Sequence, residues 1–160
     1  MSVQGWYYLH TNGSLIYKRE LGGTAADIRE SPFARALWAC DPDPIDRESA
    51  WAILVEALSL GADKDRIADL AGRWGCNDSD ADTYAERVGA VLQRDGSAWM
   101  AVPTWFENLA ESPAGFGDTK LEAMAALCKA LGYRASKMWG ASFADLLKPK
   151  PERAVAGATA

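Results

Sequence analysis

Residues 5–18 read GWYYLHTNGSLIYK, two β-rich runs on either side of Asn12-Gly13. This dipeptide adopts positive φ at low cost and closes a type I′ turn, so the stretch predicts a β-hairpin. Alternation divides the large side chains of the first strand between two faces, Trp6, Tyr8 and His10 on one and Tyr7 and Leu9 on the other. Because both faces carry aromatic rings, we expect at least one of them to pack on a helix.

Two amphipathic helices are predicted after the hairpin. The first has Asp43 as a suitable N-cap and Pro44 at its first position, and it ends at Gly61. The second is capped by Asp63 and covers residues 64–74. Their apolar stripes follow helical spacing, with Trp51, Leu54, Val55 and Leu58 in the first and Ile67, Leu70, Ala71 and Trp74 in the second. We expect these helices to form an antiparallel pair against the β-hairpin.

The second half predicts three strands followed by a helix. VGAVLQRDGSAWMAV, residues 88–102, alternates across an Asp-Gly pair and is typical of a second hairpin. Residues 105–110 are the candidate for a third strand. Thr119 and Glu122 have the spacing of a capping box, which marks the start of the helix. A last short helix is predicted around residues 143–147.

These elements predict an α+β protein built from two modules. Residues 1–78 are assigned to a β-hairpin plus an acidic helical module, and residues 79–148 to a β-β-β-α module with a terminal helix. The polar run at residues 76–82 marks the boundary, and residues 149–160 are expected to be a flexible tail. With 160 residues, of which 49% are hydrophobic, the chain is long enough to bury a substantial core.

Charge is concentrated in the middle of the chain. From Asp41 to Asp82 there are eleven acids and four bases, a balance of −7 in a chain whose total is −5. Such a region repels phosphates, and a helix-turn-helix interpretation of residues 65–92 leaves Arg87 as the only base in its recognition helix, so we expect no direct nucleic-acid binding. The acids belong to a solvated helix face or to a surface that docks on a basic protein. The candidate partner-binding residues are Asp63, Asp65, Asp69, Asp78, Asp80 and Trp105.

The sequence offers little to catalysis or metal binding. His10 is the only histidine, and Cys40, Cys76 and Cys128 are too widely spaced for a structural zinc site. The GFG of the second half lacks the glycine spacing of a dinucleotide site. We therefore expect no catalytic residues, no metal and no cofactor. The chain has no run of about twenty apolar residues. We expect no secretory signal, and we expect free thiols in a cytoplasmic protein.

Residues 98–131, AWMAVPTWFENLAESPAGFGDTKLEAMAALCKAL, resemble the HicB-like fold of antitoxins and many small phage proteins. The resemblance rests on a strand that ends near a proline, a glycine-containing turn and a G-D-T helix start. The matching residues are Gly117, Asp118, Thr119, Glu122 and Ala123. The first half is similar to phage and prophage reading frames in GWYYLHTNGSLIYK, SPF and AWAILVEALSLGA. Together these resemblances imply a phage or prophage protein with a HicB-like second half.

The leading hypothesis is a phage-encoded accessory protein of the bacterial cytoplasm that works by protein–protein binding. Its partner would be a host or phage protein, including a nucleic-acid-binding defence complex such as a CRISPR effector. The alternative is a HicB-like antitoxin or a small DNA-binding regulator. A third hypothesis is an enzyme built around His10, Tyr7 or an acid. A homo-oligomer is compatible with all three.

Overall fold

Short strands and short helices alternate along the chain. A computed structural model describes residues 5–40, 46–134 and 142–149. The strands are β1 (Gly5–His10), β2 (Leu15–Arg19), β3 (Ala34–Cys40), β4 (Ala90–Asp95), β5 (Ala98–Pro103) and β6 (Gly115–Gly117). The helices are α1 (Thr24–Glu30), α2 (Arg47–Ser59), α3 (Lys64–Arg73), α4 (Asp78–Val88), α5 (Lys120–Ala130) and α6 (Phe143–Leu147). The strands form two antiparallel sheets, in the orders β2-β1-β3 and β4-β5-β6, and the α+β prediction is confirmed.

The first hairpin forms where it was predicted, but its turn is of another type. Gly13 is left-handed with φ of 94°, whereas Asn12 keeps a negative φ. A type I′ turn needs positive φ at both central residues. The backbone N–H of His10 instead donates to the carbonyl of Ser14 at 2.8 Å, and that of Gly13 donates to the carbonyl of His10 at 2.9 Å. The connection is therefore a three-residue loop that needs only one left-handed position.

The segment between the first hairpin and α2 contains a strand that the sequence did not predict. A short helix, α1, follows the hairpin and ends before Pro32. β3 follows and pairs antiparallel with β1, with Trp38 opposite Tyr7. The hairpin thus becomes a three-stranded sheet, and its inner face packs on α2 and α3.

Both predicted helices are present, but α2 is buried on two sides and is not amphipathic as predicted. The side chain of Asp63 accepts a backbone N–H of the first turn of α3 at 3.2 Å, so the predicted cap is confirmed. α2 begins at residue 47, and Asp46 caps it through a 3.1 Å hydrogen bond. The expected cap residues, Asp43 and Pro44, lie outside the described residues.

One prediction for the second half is wrong, that of the third strand. The polar run at residues 76–82 includes the start of α4, where the Asn77 side chain accepts two backbone N–H groups of the first turn. The third strand is β6 and does not lie at residues 105–110. There the Asn108 side chain accepts two following backbone N–H groups, which folds the segment into a turn. The order of three strands and a helix is nevertheless the predicted one.

The predicted capping box at the start of α5 forms in a shifted version. The Thr119 hydroxyl accepts the backbone N–H of Glu122 at 3.1 Å, as expected. The Glu122 carboxylate, however, accepts the backbone N–H of Asp118 at 3.1 Å, one residue before the cap. The cap still satisfies two backbone donors at the start of the helix.

Helix α2 lies between the two sheets and contributes to both cores. Trp51 and Val55 pack with α4, α5 and the second sheet. Ile53 and Leu54 pack with α3 and the first sheet. Both halves of the chain therefore pack against α2. The module boundary at residue 78 stays a prediction.

A buried carboxylate on α2 connects distant parts of the fold. Glu56 is 4% exposed. It accepts hydrogen bonds from the Trp38 indole N–H at 2.9 Å, the Tyr133 hydroxyl at 3.0 Å and the Phe143 backbone N–H at 2.9 Å. A buried charge is tolerated when it is fully hydrogen-bonded, and these three donors supply that environment. We call these four residues the Glu56 cluster.

Glu56→Ala should lower the free energy of unfolding by about 3 kcal/mol, because it leaves buried donors without an acceptor. Glu86→Ala is the matched control, since Glu86 is an exposed glutamate on α4, and it should change stability by less than about 0.5 kcal/mol. Urea denaturation followed by tryptophan fluorescence measures both. Equal stabilities of the two variants would show that the cluster is dispensable.

Candidate partner-binding surface

The predicted acidic residues of α3 are exposed. Asp63 caps the helix, and the carboxylate of Asp69 lies 3.5 Å from a guanidinium nitrogen of Arg66. The side chain of Asp65 makes no hydrogen bond or ion pair in the described part of the chain. Two of the three acids thus have a structural partner, and one points its charge to solvent.

The predicted acidic residues of α4 lie at its first turn. Asp78 is exposed, whereas Asp80 is half-buried with its carboxylate 3.6 Å from Nε of Arg47. The amino group of Lys120 donates to the Asp82 carboxylate at 3.0 Å and approaches the Asp78 carbonyl at 3.4 Å. The start of α4 is therefore joined to the start of α2 and to the start of α5.

The exposed carboxylates follow a four-residue spacing, which places each series along one side of its helix. We call them the two acidic rows: Asp65 and Asp69 on α3, and Asp78, Asp82 and Glu86 on α4. Residues 46–88 carry ten acids and five bases, a balance of −5 that equals the net charge of the whole chain. The remaining residues sum to zero, so the net charge of the protein belongs to α2, α3 and α4.

Trp105, the aromatic member of the predicted site, has a structural contact. It is half-buried, and its indole N–H donates to the backbone carbonyl of Leu147 at 2.7 Å. This bond fastens α6 to the loop after β5. A substitution at Trp105 would therefore disturb the packing of α6 as well as any binding surface.

An apolar groove lies on the outer side of the first sheet, and the sequence did not predict it. Leu21 and Phe33 flank it with 74% and 60% of their surface exposed. The groove has a volume of about 500 Å³, and Tyr8 and Ile28 are among the residues that line it. Its charged lining residues are Lys18, Arg19 and Asp27. We call it the Leu21–Phe33 groove.

The groove went unpredicted because β3 went unpredicted. Phe33 directly precedes that strand, and its backbone carbonyl accepts the N–H of Thr11 at 2.8 Å, which places it beside the hairpin turn. The run ARALWAC at residues 34–40 is rich in alanine and leucine, which favour helix. The alternation of small inward and larger outward side chains covers only residues 34–37, because Trp38 packs inward and Ala39 is exposed.

His10 serves the hairpin turn. Its Nδ1 accepts the backbone N–H of Asn12 at 3.1 Å, and its ring stacks on Phe33 with 5.7 Å between centroids. Within the described ranges, no group of three or more His, Cys, Asp or Glu side chains is placed to hold a metal ion. Over the same ranges, no helix has the length and apolar character needed to cross a membrane.

The glycines of the GFG run are required by packing. β6 lies directly against α5, and a Cβ at Gly115 would overlap the backbone nitrogen of Leu127 and the carbonyl of Ala123. A Cβ at Gly117 would overlap the backbone at Ala123 as well. These glycines allow a strand and a helix to approach at backbone distance.

Burial lowers the reactivity of two cysteines, the buried Cys128 and the half-buried Cys76. Burial raises the pKa of the Cys76 thiol to about 11, although the neighbouring Arg47 acts in the opposite direction. Burial raises the pKa of the Cys128 thiol to about 12. Both thiols are protonated at neutral pH, and a thiol is a weak nucleophile compared with a thiolate.

Comparisons with known proteins give no relative. No protein-family model matches the chain, and no curated protein and no solved structure matches it. The HicB-like and phage resemblances therefore stay predictions, as does every role assigned to the candidate residues.

Gly115→Ala should destabilise the protein by about 3 kcal/mol, because the added methyl group meets rigid backbone of α5. The control is Gly72→Ala on α3, where a Cβ meets nothing within 4 Å. That variant should gain up to about 1 kcal/mol from helix propensity. Thermal unfolding followed by circular dichroism measures both, and a stable Gly115→Ala variant would contradict the close packing of β6 on α5.

Stability should fall at alkaline pH. Because the thiol pKa values of Cys76 and Cys128 are raised in the folded protein, their contribution is complete below the unfolded value of about 8.5 and is lost as pH rises through about 11 to 12. Tyr84 and Tyr133, whose pKa values are raised by burial and by Glu56, act in the same direction. Urea midpoints across this range should decline less steeply in the double variant Cys76→Ala, Cys128→Ala. If the urea midpoint falls with pH as steeply in the double variant as in the wild-type chain, the thiols do not cause the loss of stability.

Proposed function

We propose that this chain is a phage-encoded accessory protein that acts in the bacterial cytoplasm by binding a basic, nucleic-acid-binding protein. The observation that carries the proposal is the balance of −5 over residues 46–88, which accounts for the net charge of the whole chain. The two acidic rows present this charge to solvent. Such a surface attracts the basic patches with which proteins bind nucleic-acid phosphates, and it accelerates association with them.

The contacts of the individual acids indicate which of them face the partner. Asp63 caps α3, and Asp80 is held against Arg47. Asp65, Asp78 and Glu86 are exposed, and their side chains make no hydrogen bond or ion pair in the described part of the chain. We therefore assign the partner contact to these three residues. The sequence prediction had also included Asp63 and Asp80 as candidates of equal weight.

Binding is favoured over catalysis by the surroundings of the reactive groups. The Nδ1 of His10 is occupied by a turn hydrogen bond. Burial keeps the thiols of Cys76 and Cys128 protonated. Protonated thiols are poor nucleophiles, and His10 is engaged in the hairpin turn through Nδ1, so these groups favour binding over catalysis.

The finer version of the proposal is inhibition of a host defence complex, such as a CRISPR effector, whose nucleic-acid channel the acidic rows would occupy. It is supported by the phage resemblance of both halves. The alternative is a HicB-like antitoxin or small regulator, which is favoured by the order β4-β5-β6-α5 and by the Gly117-Asp118-Thr119 helix start. An antitoxin would neutralise a co-expressed small toxin, whereas a defence inhibitor would restore phage growth in an immune host.

The triple variant Asp65→Asn, Asp78→Asn, Glu86→Gln tests the proposed surface. Host proteins captured by the wild-type chain are identified by mass spectrometry, and affinity for the purified partner is measured at several salt concentrations. Loss of three surface charges should weaken binding by about tenfold at low salt. A short duplex of the partner's own nucleic-acid ligand should compete with the wild-type chain.

The control triple variant is Glu30→Gln, Asp95→Asn, Glu111→Gln, which removes the same number of exposed charges outside residues 46–88. It should bind as the wild-type chain does. If both triple variants weaken binding equally, the effect comes from net charge and not from the acidic rows. If nucleic acid does not compete with the wild-type chain for the partner, the partner does not belong to the proposed class of nucleic-acid-binding proteins.

The Leu21–Phe33 groove provides the competing surface in the same assay. Leu21→Ser and Phe33→Ser change exposed side chains, so both variants should fold. If these substitutions abolish binding and the acidic triple variant does not, the protein binds its partner through the groove and the charge-based proposal is wrong.

A further inference from the structure

The first sheet has an open edge at β3. Its order is β2-β1-β3, so β3 pairs with β1 on one side and with no strand of the described chain on the other. Hydrogen-bonded and non-hydrogen-bonded positions alternate along antiparallel strands. The bond between the N–H of His10 and the carbonyl of Ser14 sets this alternation, so Tyr8 bonds to β2 and Tyr7 bonds to Trp38 of β3. The residues on either side of Trp38 therefore direct their N–H and C=O groups away from β1.

These outward-facing residues are Leu37 and Ala39. Leu37 is half-buried and Ala39 is exposed. In the described part of the chain, their backbone groups make no hydrogen bond with a turn, a helix or a side chain. An edge with unpaired N–H and C=O groups is a template for a further strand.

The other sheet edges carry features that oppose such pairing. The Leu15 carbonyl of β2 accepts a hydrogen bond from Nε of Arg66 at 3.1 Å. β4 ends in the charged residues Arg94 and Asp95, and β6 has only three residues. Covered backbone groups, charged side chains and short strands are common means by which proteins protect a sheet edge. Residues 36–40 of β3, ALWAC, contain no charge and no proline.

The one charged residue of β3 does not protect this run. Nη1 of Arg35 donates to the carbonyl of Leu60 at 2.6 Å, which holds the guanidinium at the end of α2. The register shift between β1 and β3 lies beside His10, and so before residue 36. From residue 36 to residue 40 the pairing with β1 is regular, and the outer side of the strand can accept a further strand in the same way.

The distribution of charge permits a second copy of the chain to approach this edge. Residues 5–40 carry four bases and three acids, a balance of +1 in a chain whose total is −5. The bases are Lys18, Arg19, Arg29 and Arg35, and the acids are Glu20, Asp27 and Glu30. The acidic rows lie on α3 and α4, outside this range. Two copies that meet at β3 therefore bring together uncharged strands of equal length in a region of nearly balanced charge, where mutual repulsion is weak.

We propose that two copies of this chain pair through β3, with the strands antiparallel and related by a two-fold axis. Leu37 of one copy exchanges both of its backbone hydrogen bonds with Ala39 of the other, and the two Trp38 residues lie opposite each other between these pairs. Aromatic residues opposite each other across two strands add stability. A two-fold contact is self-complementary, so it closes as a dimer. The inference is independent of the function proposed above, because it involves neither of the acidic rows.

Sedimentation equilibrium and amide hydrogen exchange followed by NMR test this pairing together. As the protein concentration rises, the mass should double and the amides of Leu37 and Ala39 should exchange about tenfold more slowly or less. The amide of Trp38 bonds to β1, so it should be protected at every concentration. The proposal is wrong if the chain stays a monomer up to about 1 mM. It is also wrong if a dimer forms while the exchange of the Leu37 and Ala39 amides is unchanged.

Ala39→Pro removes one outward-facing N–H that the first sheet does not use. Proline is tolerated on an edge strand where its nitrogen faces solvent, so the variant should fold, and it should weaken the dimer by about tenfold or more. Ala39→Ser keeps the N–H at the same exposed position and should dimerise as the wild-type chain does. Should circular dichroism show that Ala39→Pro is unfolded, Ala39→Lys takes its place, because a charge on each strand opposes edge pairing. A folded proline or lysine variant that dimerises as tightly as the wild-type chain would contradict the pairing through β3.

Discussion

The carboxylate of Glu56 is the interaction on which the rest of the structure depends. It lies in the middle of α2 and receives donors from β3, from the residue that follows α5 by three positions, and from the first residue of α6. A buried charge of this kind costs several kcal/mol unless its hydrogen bonds are complete. The requirement fixes where the three donors stand, and so it couples the first sheet to the last helix across more than a hundred residues of sequence.

Helix α2 has no exposed residue from Ala50 to its end at Ser59. Six consecutive residues from Trp51 onward include only one that is not fully buried, Ala52. Trp51 and Val55 of this run pack towards the second sheet, and Ile53 and Leu54 pack towards the first. A helix buried on both sides cannot be amphipathic in the usual sense. Both sheets therefore pack against one central helix.

An element of the fold was predictable when the residues that determine it lie close together in the sequence. The caps at Asp63 and Thr119 and the turn at Gly13 depend on residues within four positions, and the sequence indicates each of them. β3 depends on a partner about thirty residues upstream, and its own composition favours helix, so local reasoning missed it. β6 has three residues, of which two are glycines chosen for contact with α5. No local pattern distinguishes such a strand from a loop.

The candidate site divides along the same line. Sequence reasoning identified the acids of α3 and α4 correctly as a concentration of charge, because charge can be counted without a structure. Sequence reasoning could not distinguish the acids that cap helices from the acids that make no contact within the described part of the chain. Aspartate at a helix start accepts backbone N–H groups and opposes the positive end of the helix dipole, so Asp63 would be retained in a protein that binds nothing. Glu86 lies near the end of α4, where a negative charge is unfavourable to the helix. Glu86 therefore does not stabilise its helix, in contrast to Asp63.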